Sequence, residues 1–186
     1  MLNNRKVDVD RAMLMVVDFQ TKLVPHIEEA EEMLAAAARL IRGAHLFGLP
    51  MLATVQYTKG LGPLHRVVAE PLEAAGVLPL EKATFSACAD DSIRAWLTEV
   101  DRPQVILCGI EAHVCVLQTA LDLLAMGCAV FLCADAVGSR RDLDLDLGLS
   151  RAQHAGVVVT TTESVLFELC HESGTDRFRK LLEIVK

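Results

Sequence analysis

Three side chains with complementary chemistry stand just beyond apolar runs: Asp18 in MVVDFQ, Lys82 in LPLEKATFSA and Cys115 in ILCGIEAHVCVLQTA. A thiol attacks carbon as its thiolate, which needs the positive end of a helix, a nearby cation or an adjacent base. The stretch from Gly109 to Cys115 reads as a strand running into a helix, Lys82 is a cation and Asp18 is a base. Together they are the parts of an activated nucleophile. Singly, each has a plainer reading: Asp18 as a turn cap, Lys82 as a solvated surface lysine, Cys115 as a small buried hydrophobe. His113 does not complete a Cys–His dyad, because residues two apart on a helix point to different sides. The six histidines contain no pair at three- or four-residue spacing and no Asp-x-His, so no metal site is expected. The six cysteines form no C-x-x-C, and no glycine-rich phosphate loop is present.

Residues so far apart in sequence need a sheet to bring them together. Short apolar runs alternate with amphipathic stretches, the pattern of parallel strands covered on both faces by crossover helices. Strands are expected at Ala12–Val17, Met51–Gln56, Val77–Leu80, Gln104–Cys108, Ala129–Ala134 and Val157–Thr161. Ile27, Ala30, Leu34, Ala37, Ile41 and Ala44 repeat at helical spacing. Asp90 or Asp91 is placed to cap a helix through Trp96 and Leu97, and a helix from about His113 to Met126 is expected to stop at Gly127. The segment DLDLDLGLSRAQHAG alternates like an edge strand at its start and reads as helix in its later part, up to Gly156. Tyr57–Arg66, with Gly60, Gly62 and Pro63, reads as a surface loop. In an open parallel sheet, ligands bind beyond the carboxyl ends of the strands where strand order reverses. Asp18, Lys82 and Cys115 all lie on that edge.

Composition supports such a core. The chain has 186 residues, 52% hydrophobic and 23% charged, with a mean hydropathy of +0.35. It is therefore expected to form one globular domain over residues 1–186. With 18 basic against 25 acidic residues, net −7, it is poorly equipped to neutralise phosphates, and nucleic acid is not an expected partner. The run Leu123–Ala134 is shorter than the about 20 apolar residues of a membrane span. Asp8 and Asp10 interrupt the place where a signal peptide would be apolar. A cytoplasmic protein with reduced cysteines is expected.

The segments VVDFQ, EKATFSA, GIEAHVCVLQTALDLLAMGCAVFLCADAVGSR and GVVVTTTESVLFELC together resemble the isochorismatase-like cysteine hydrolases, over roughly Met13 to Leu169. The resemblance implies an α/β fold: a three-layer αβα sandwich around a six-stranded parallel sheet of order 3-2-1-4-5-6. It maps the family's catalytic triad onto Asp18, Lys82 and Cys115, and implies a cis peptide between Ile110 and Glu111. It further implies a hydrolase that opens a small amide or related acyl compound through a Cys115 acyl-enzyme. Backbone N–H groups of Glu111 and Cys115 would form the oxyanion hole. Phe19, Gln20 and Phe85, neighbours of the triad positions, are candidate pocket walls or plain core. Two departures qualify the likeness. Metal-binding nicotinamidases carry Asp-x-His after strand two, where this chain has Gln56-Tyr57-Thr58, so no cofactor is expected. Isochorismatases proper lack the cysteine and cleave a vinyl ether, which leaves ether hydrolysis as an alternative activity. A non-catalytic small-molecule-binding homo-oligomer is the other alternative. Family members commonly assemble, so a homo-oligomer is expected. Among the six cysteines, Cys115 is expected to be the most alkylation-prone.

Overall fold

A computed structural model describes residues 6–186, so the N-terminal reading falls partly outside the described residues. In chain order the elements are β1 (Ala12–Val17), α1 (Ala30–Leu46), β2 (Met51–Gln56), α2 (Thr58–Leu61), α3 (Arg66–Ala74), β3 (Leu80–Lys82) and α4 (Asp91–Val100). They continue with β4 (Gln104–Ile110), a π-helical turn (Ala112–Val116), α5 (Leu117–Ala125), β5 (Ala129–Gly138), α6 (Asp142–Ala155), β6 (Val158–Thr160), α7 (Thr162–Cys170) and α8 (Asp176–Val185). The six strands form one parallel sheet in the order β3-β2-β1-β4-β5-β6. No helix among the described residues is long and apolar enough to cross a membrane.

Side chains of β1 divide by the period of two that a pleated strand imposes. Ala12, Leu14 and Val16 enter a cluster with α1, α3, α7 and α8. Met13, Met15 and Val17 enter a second cluster with α4, α5 and the π turn. These two clusters are the inner faces of the three layers. Strand order reverses between β1 and β4, where the two backbones approach closely. Gly109, at φ 147° opposite Val17, leaves the room this requires, since a Cβ there would strike the Val17 carbonyl.

Several boundaries differ from expectation for local reasons. The third strand begins at Leu80, because the Val77 N–H is spent on the Leu72 carbonyl in closing α3. Pro79, just ahead of Leu80, has no N–H to give a ladder. Helix α1 starts at Ala30 instead of near Ile27, since Pro25 opens a 3₁₀ turn at Val24–His26. Strands β4 and β5 run past their expected ends at Cys108 and Ala134 to Ile110 and Gly138, with a shift of register between Leu107 and Gly109, because Ile110, Ala136 and Val137 are also buried. The whole Asp-Leu segment is helix: Leu145, Leu149 and Ala152 make an inward stripe at helical spacing, while Leu143 and Leu147 face out. Within the expected loop after β2, Thr58–Leu61 forms a helical turn. Asp90 caps α4, accepting the N–H groups of Ser92 and Ile93.

Candidate active site

The carboxyl ends of β1, β2, β3 and β4 deliver one polar residue each to the crossover point. Asp18 follows β1 with φ 55°, Gln56 and Lys82 end β2 and β3, and Cys115 lies in the π turn beyond β4. Single π turns are frequent at functional sites. Here the N–H of Val116 reaches the Glu111 carbonyl at 3.2 Å. The Ile110–Glu111 peptide ahead of the turn is cis.

Lys82 and Asp18 form an ion pair at 2.6 Å, with both side chains wholly buried. Such a pair is tolerated in the interior only when the remaining donors and acceptors are also met. They are met here: Lys82 Nζ also donates to Gln56 Oε1 (3.2 Å) and to the carbonyls of Thr84 (3.0 Å) and Phe85 (3.3 Å). Asp18 Oδ1 accepts the Thr54 hydroxyl at 2.8 Å. The Cys115 thiol donates to Gln56 Oε1 at 3.3 Å and is 8% exposed. Two further bonds staple the lysine segment to the cysteine helix: Ser86 Oγ to Asp122 (2.6 Å) and the Ala87 N–H to Thr119 Oγ1 (2.9 Å).

These surroundings set the state of the nucleophile. Burial pushes the Cys115 thiol up to about 12; the Asp18 charge adds to that, and the Lys82 charge opposes it. At rest Cys115 is a protonated thiol. Burial and the neighbouring carboxylate thus oppose the activation expected from the lysine. Cys128 and Cys170 are half-buried, whereas Cys115 is buried.

The structure sorts the other candidates. Phe19 is buried in the α1-side cluster, away from the cluster that holds Cys115. Gln20 is buried and acts as a bracket: its Oε1 accepts the Gln56 N–H (2.8 Å), and its Nε2 donates to the carbonyls of Gln56 (2.9 Å) and Gly62 (2.7 Å). The Phe85 ring is 54% exposed, while its carbonyl holds Lys82. Glu111 turns its carboxylate to Arg140, taking its Nε at 2.9 Å. Sequence reasoning treated Gln56 only as a failed metal ligand and passed over Thr54. The signal for both was present, as two polar residues two apart lie on one face of an apolar strand. The residues after β2 do not fit a divalent metal, since Gln56 Oε1 already faces an ammonium and Tyr57 is exposed.

A family model described as "Isochorismatase domain" matches residues 12–164. Isochorismatase domain-containing protein 2 of Danio rerio is 37% identical over 175 residues, covering 94% of this chain and 86% of its own. The solved structure titled MAR1 ribonuclease from Caenorhabditis elegans is 33% identical, with a TM-score of 0.91 over 97% of this chain and 92% of its own. An Escherichia coli protein described as an octameric hydrolase of unknown specificity shares the fold at 22% identity, with a TM-score of 0.88 over 96% of this chain and 90% of its own. With the sheet order, the reach of the family model and the likeness to the zebrafish protein in agreement, the chain belongs to the isochorismatase family and has its hydrolase fold.

Proposed function

We propose that this chain is a cysteine hydrolase that cleaves a small amide or related acyl compound through a covalent Cys115 acyl-enzyme, with no cofactor. The observation that carries this reading is a buried carboxylate–ammonium pair at 2.6 Å beside a nearly enclosed thiol, all at the reversal point of a parallel sheet. Because the resting thiol is protonated, attack and proton loss are coupled. Asp18 accepts the proton as Sγ bonds to the carbonyl carbon, and the oxygen gains the charge. Backbone N–H groups of Glu111 and Cys115 take that oxyanion, an interaction worth about 2.7–4 kcal/mol per donor in other enzymes. Collapse breaks the C–N bond, and Asp18 returns the proton to the departing amine. Water, deprotonated by Asp18, then opens the thioester, and the proton goes back to Sγ. Lys82 holds the carboxylate in register throughout. Gln20 supports the site by bracketing the Gln56 backbone, and Phe85 is the exposed residue of the three candidate pocket walls.

The ribonuclease name of the C. elegans relative prompts a phosphodiester reading. With net charge −7 and Lys82 already committed to Asp18, little is left to hold a polyanion. The deciding experiment is a screen of small amides, hydroxamates, isochorismate and an RNA oligomer, with rapid quenching and peptide mass mapping. The expected result is an acyl adduct on Cys115 that Cys115→Ser abolishes together with turnover. Isochorismate turnover that survives Cys115→Ser supports the ether-hydrolase alternative instead, and RNA cleavage without an adduct overturns the reading. Saturable small-molecule binding with neither turnover nor adduct leaves the non-catalytic alternative. Self-association into a homo-oligomer is part of the proposal, favoured by the octameric E. coli neighbour and by the exposed Leu143 and Leu147. Light scattering that finds a monomer at micromolar concentration removes that part.

A further inference from the structure

Gln56 touches both the nucleophile and the lysine, yet the proposed reaction gives it no task. The orientation of its amide follows from chemistry, since an ammonium can only donate, so the atom 3.2 Å from Lys82 Nζ must be the oxygen. That same oxygen lies 3.3 Å from Cys115 Sγ. An amide oxygen there welcomes an S–H and opposes a thiolate, since against the latter two electron-rich centres would face each other. The side chain leaves a fixed point of backbone, because the Gln20 amide clamps the Gln56 peptide groups on both sides at 2.8 and 2.9 Å. The bracket fixes where the side chain starts, and the Lys82 ammonium holds its oxygen at the far end.

We infer that Gln56 is a positioning residue that holds the resting nucleophile as a neutral, oriented thiol. This rests on the reading of Cys115 as the nucleophile. Its purpose is protection: an enclosed thiol that surrenders its proton only as a substrate carbonyl arrives is spared oxidation and stray alkylation. The charged groups around the sulfur are Asp18 from the end of β1, Lys82 from β3 and Glu111 ahead of the π turn. Burial, Asp18 and Glu111 hold the proton on, while Lys82 alone opposes them. Gln56 tips this balance by accepting the S–H, while the three lysine N–H groups have Asp18 and the Thr84 and Phe85 carbonyls as further acceptors.

The inference makes a prediction of opposite signs. Gln56→Met keeps length and volume but removes the acceptor, so the thiol becomes more acidic. Gln56→Glu keeps an acceptor and adds negative charge, so the thiol becomes less acidic. The measurement is the rate of iodoacetamide labelling at Cys115 against pH in the full-length protein, read by peptide mass mapping so that the other cysteines do not contribute. Below the titration midpoint we expect labelling about tenfold faster in Gln56→Met and about tenfold slower in Gln56→Glu, each equal to about one unit in the midpoint. A residue that merely fills space would move the two profiles together or not at all, and either result overturns the inference. Thermal unfolding verifies that each variant is folded. If the charged variant does not fold, the methionine variant decides alone, with an unchanged or slower rate counting against us, and Gln56→Leu replaces it should methionine fail to fold. The two readings fail separately. Opposed profiles with turnover surviving Cys115→Ser would leave Gln56 in place and remove the nucleophile, whereas unmoved profiles with a Cys115 acyl adduct would do the reverse.

Discussion

Two aspartates on the carboxyl side of the sheet have similar bonding and different surroundings. Asp135, in β5, accepts the N–H (2.8 Å) and hydroxyl (3.1 Å) of Thr162 through one oxygen and so fastens the strand to the start of α7. Asp18, after β1, likewise accepts a threonine hydroxyl, from Thr54 at 2.8 Å. Asp135 is exposed. Asp18 is fully buried, and its second oxygen meets the Lys82 ammonium at 2.6 Å. A carboxylate and a threonine make a structural joint wherever solvent completes the shell. In the proposed reaction the same pair becomes reactive where the fold supplies a countercharge and a nucleophile instead of water, here Lys82 and Cys115 at the carboxyl edge of the sheet.

The sharpest break between the two concerns turnover. Asp18→Asn preserves shape and removes the base, and should lower the rate of Cys115 acylation by at least about a thousandfold, as loss of a general base commonly does. Asp135→Asn should leave it unchanged. Single-turnover acylation followed by mass spectrometry measures both; equal losses would mean that Asp18 is as structural as Asp135. Stability should separate them next. Asp18→Ala strands a buried ammonium and is expected to cost about 3–5 kcal/mol. Asp135→Ala loses bonds near solvent and should cost about 1 kcal/mol. Urea unfolding of the two variants tests this ordering, which a Lys82→Met change in the Asp18→Ala background should largely erase.

How much of this was legible in the sequence follows the same division. Strands β1 and β2 lie where their apolar runs end, because each run is bounded by residues that cannot continue it, and the sheet order came with the family likeness. Asp18, Lys82 and Cys115 could be singled out because polar residues directly after buried strands have few other reasons to be there. Gln56 and Thr54 were missed because their importance is relational. A glutamine at a strand end is unremarked until a lysine from the next strand and a thiol from beyond the reversal both reach its oxygen. The weight of burial on the thiol was not legible for a related reason: sequence names the neighbours of a cysteine but not the depth of its burial, and here depth is the first cause. The Asp-Leu helix was half misread because period two along the sequence hid the i, i+4 stripe of Leu145 and Leu149.

Alkaline pH offers a smaller contrast. Burial pushes the Cys115 thiol up to about 12, from 9.0 for an unperturbed thiol. Above the unfolded value the unfolded chain releases a proton that the folded chain retains, so stability is full below about pH 9 and falls as pH rises toward about 12. One unit above the unfolded value the loss is about 1 kcal/mol for this group. Buried Cys133, whose thiol is also pushed up by burial with the Asp135 charge adding to it, contributes in the same direction. Cys115→Ser and Cys133→Ala should therefore each flatten the alkaline limb of an unfolding curve. A limb unaltered by Cys115→Ser would mean that its thiol is not held protonated beside Asp18.

The smallest expected effect is the response to chelators. Orienting a substrate through zinc takes about three protein ligands at fixed spacing. At the Asp18 edge the candidates are Gln56, whose oxygen is already turned to an ammonium, Tyr57, which is exposed, and Thr58, which opens α2. A cation placed there would sit against Lys82 Nζ, and the repulsion would have to be overcome before any coordination was gained. Among the described residues no group of three or more His, Cys, Asp or Glu is arranged to hold a metal ion. The Asp135 side is the more acidic one, with Glu28, Glu29 and Glu32 near Asp135 around a single arginine, Arg39. Dialysis against EDTA, followed by single-turnover acylation and elemental analysis, is thus expected to give unchanged rates. Stoichiometric zinc, iron or manganese whose loss abolishes acylation would place the electrophile on a metal and require the Gln56 edge to be rebuilt around it.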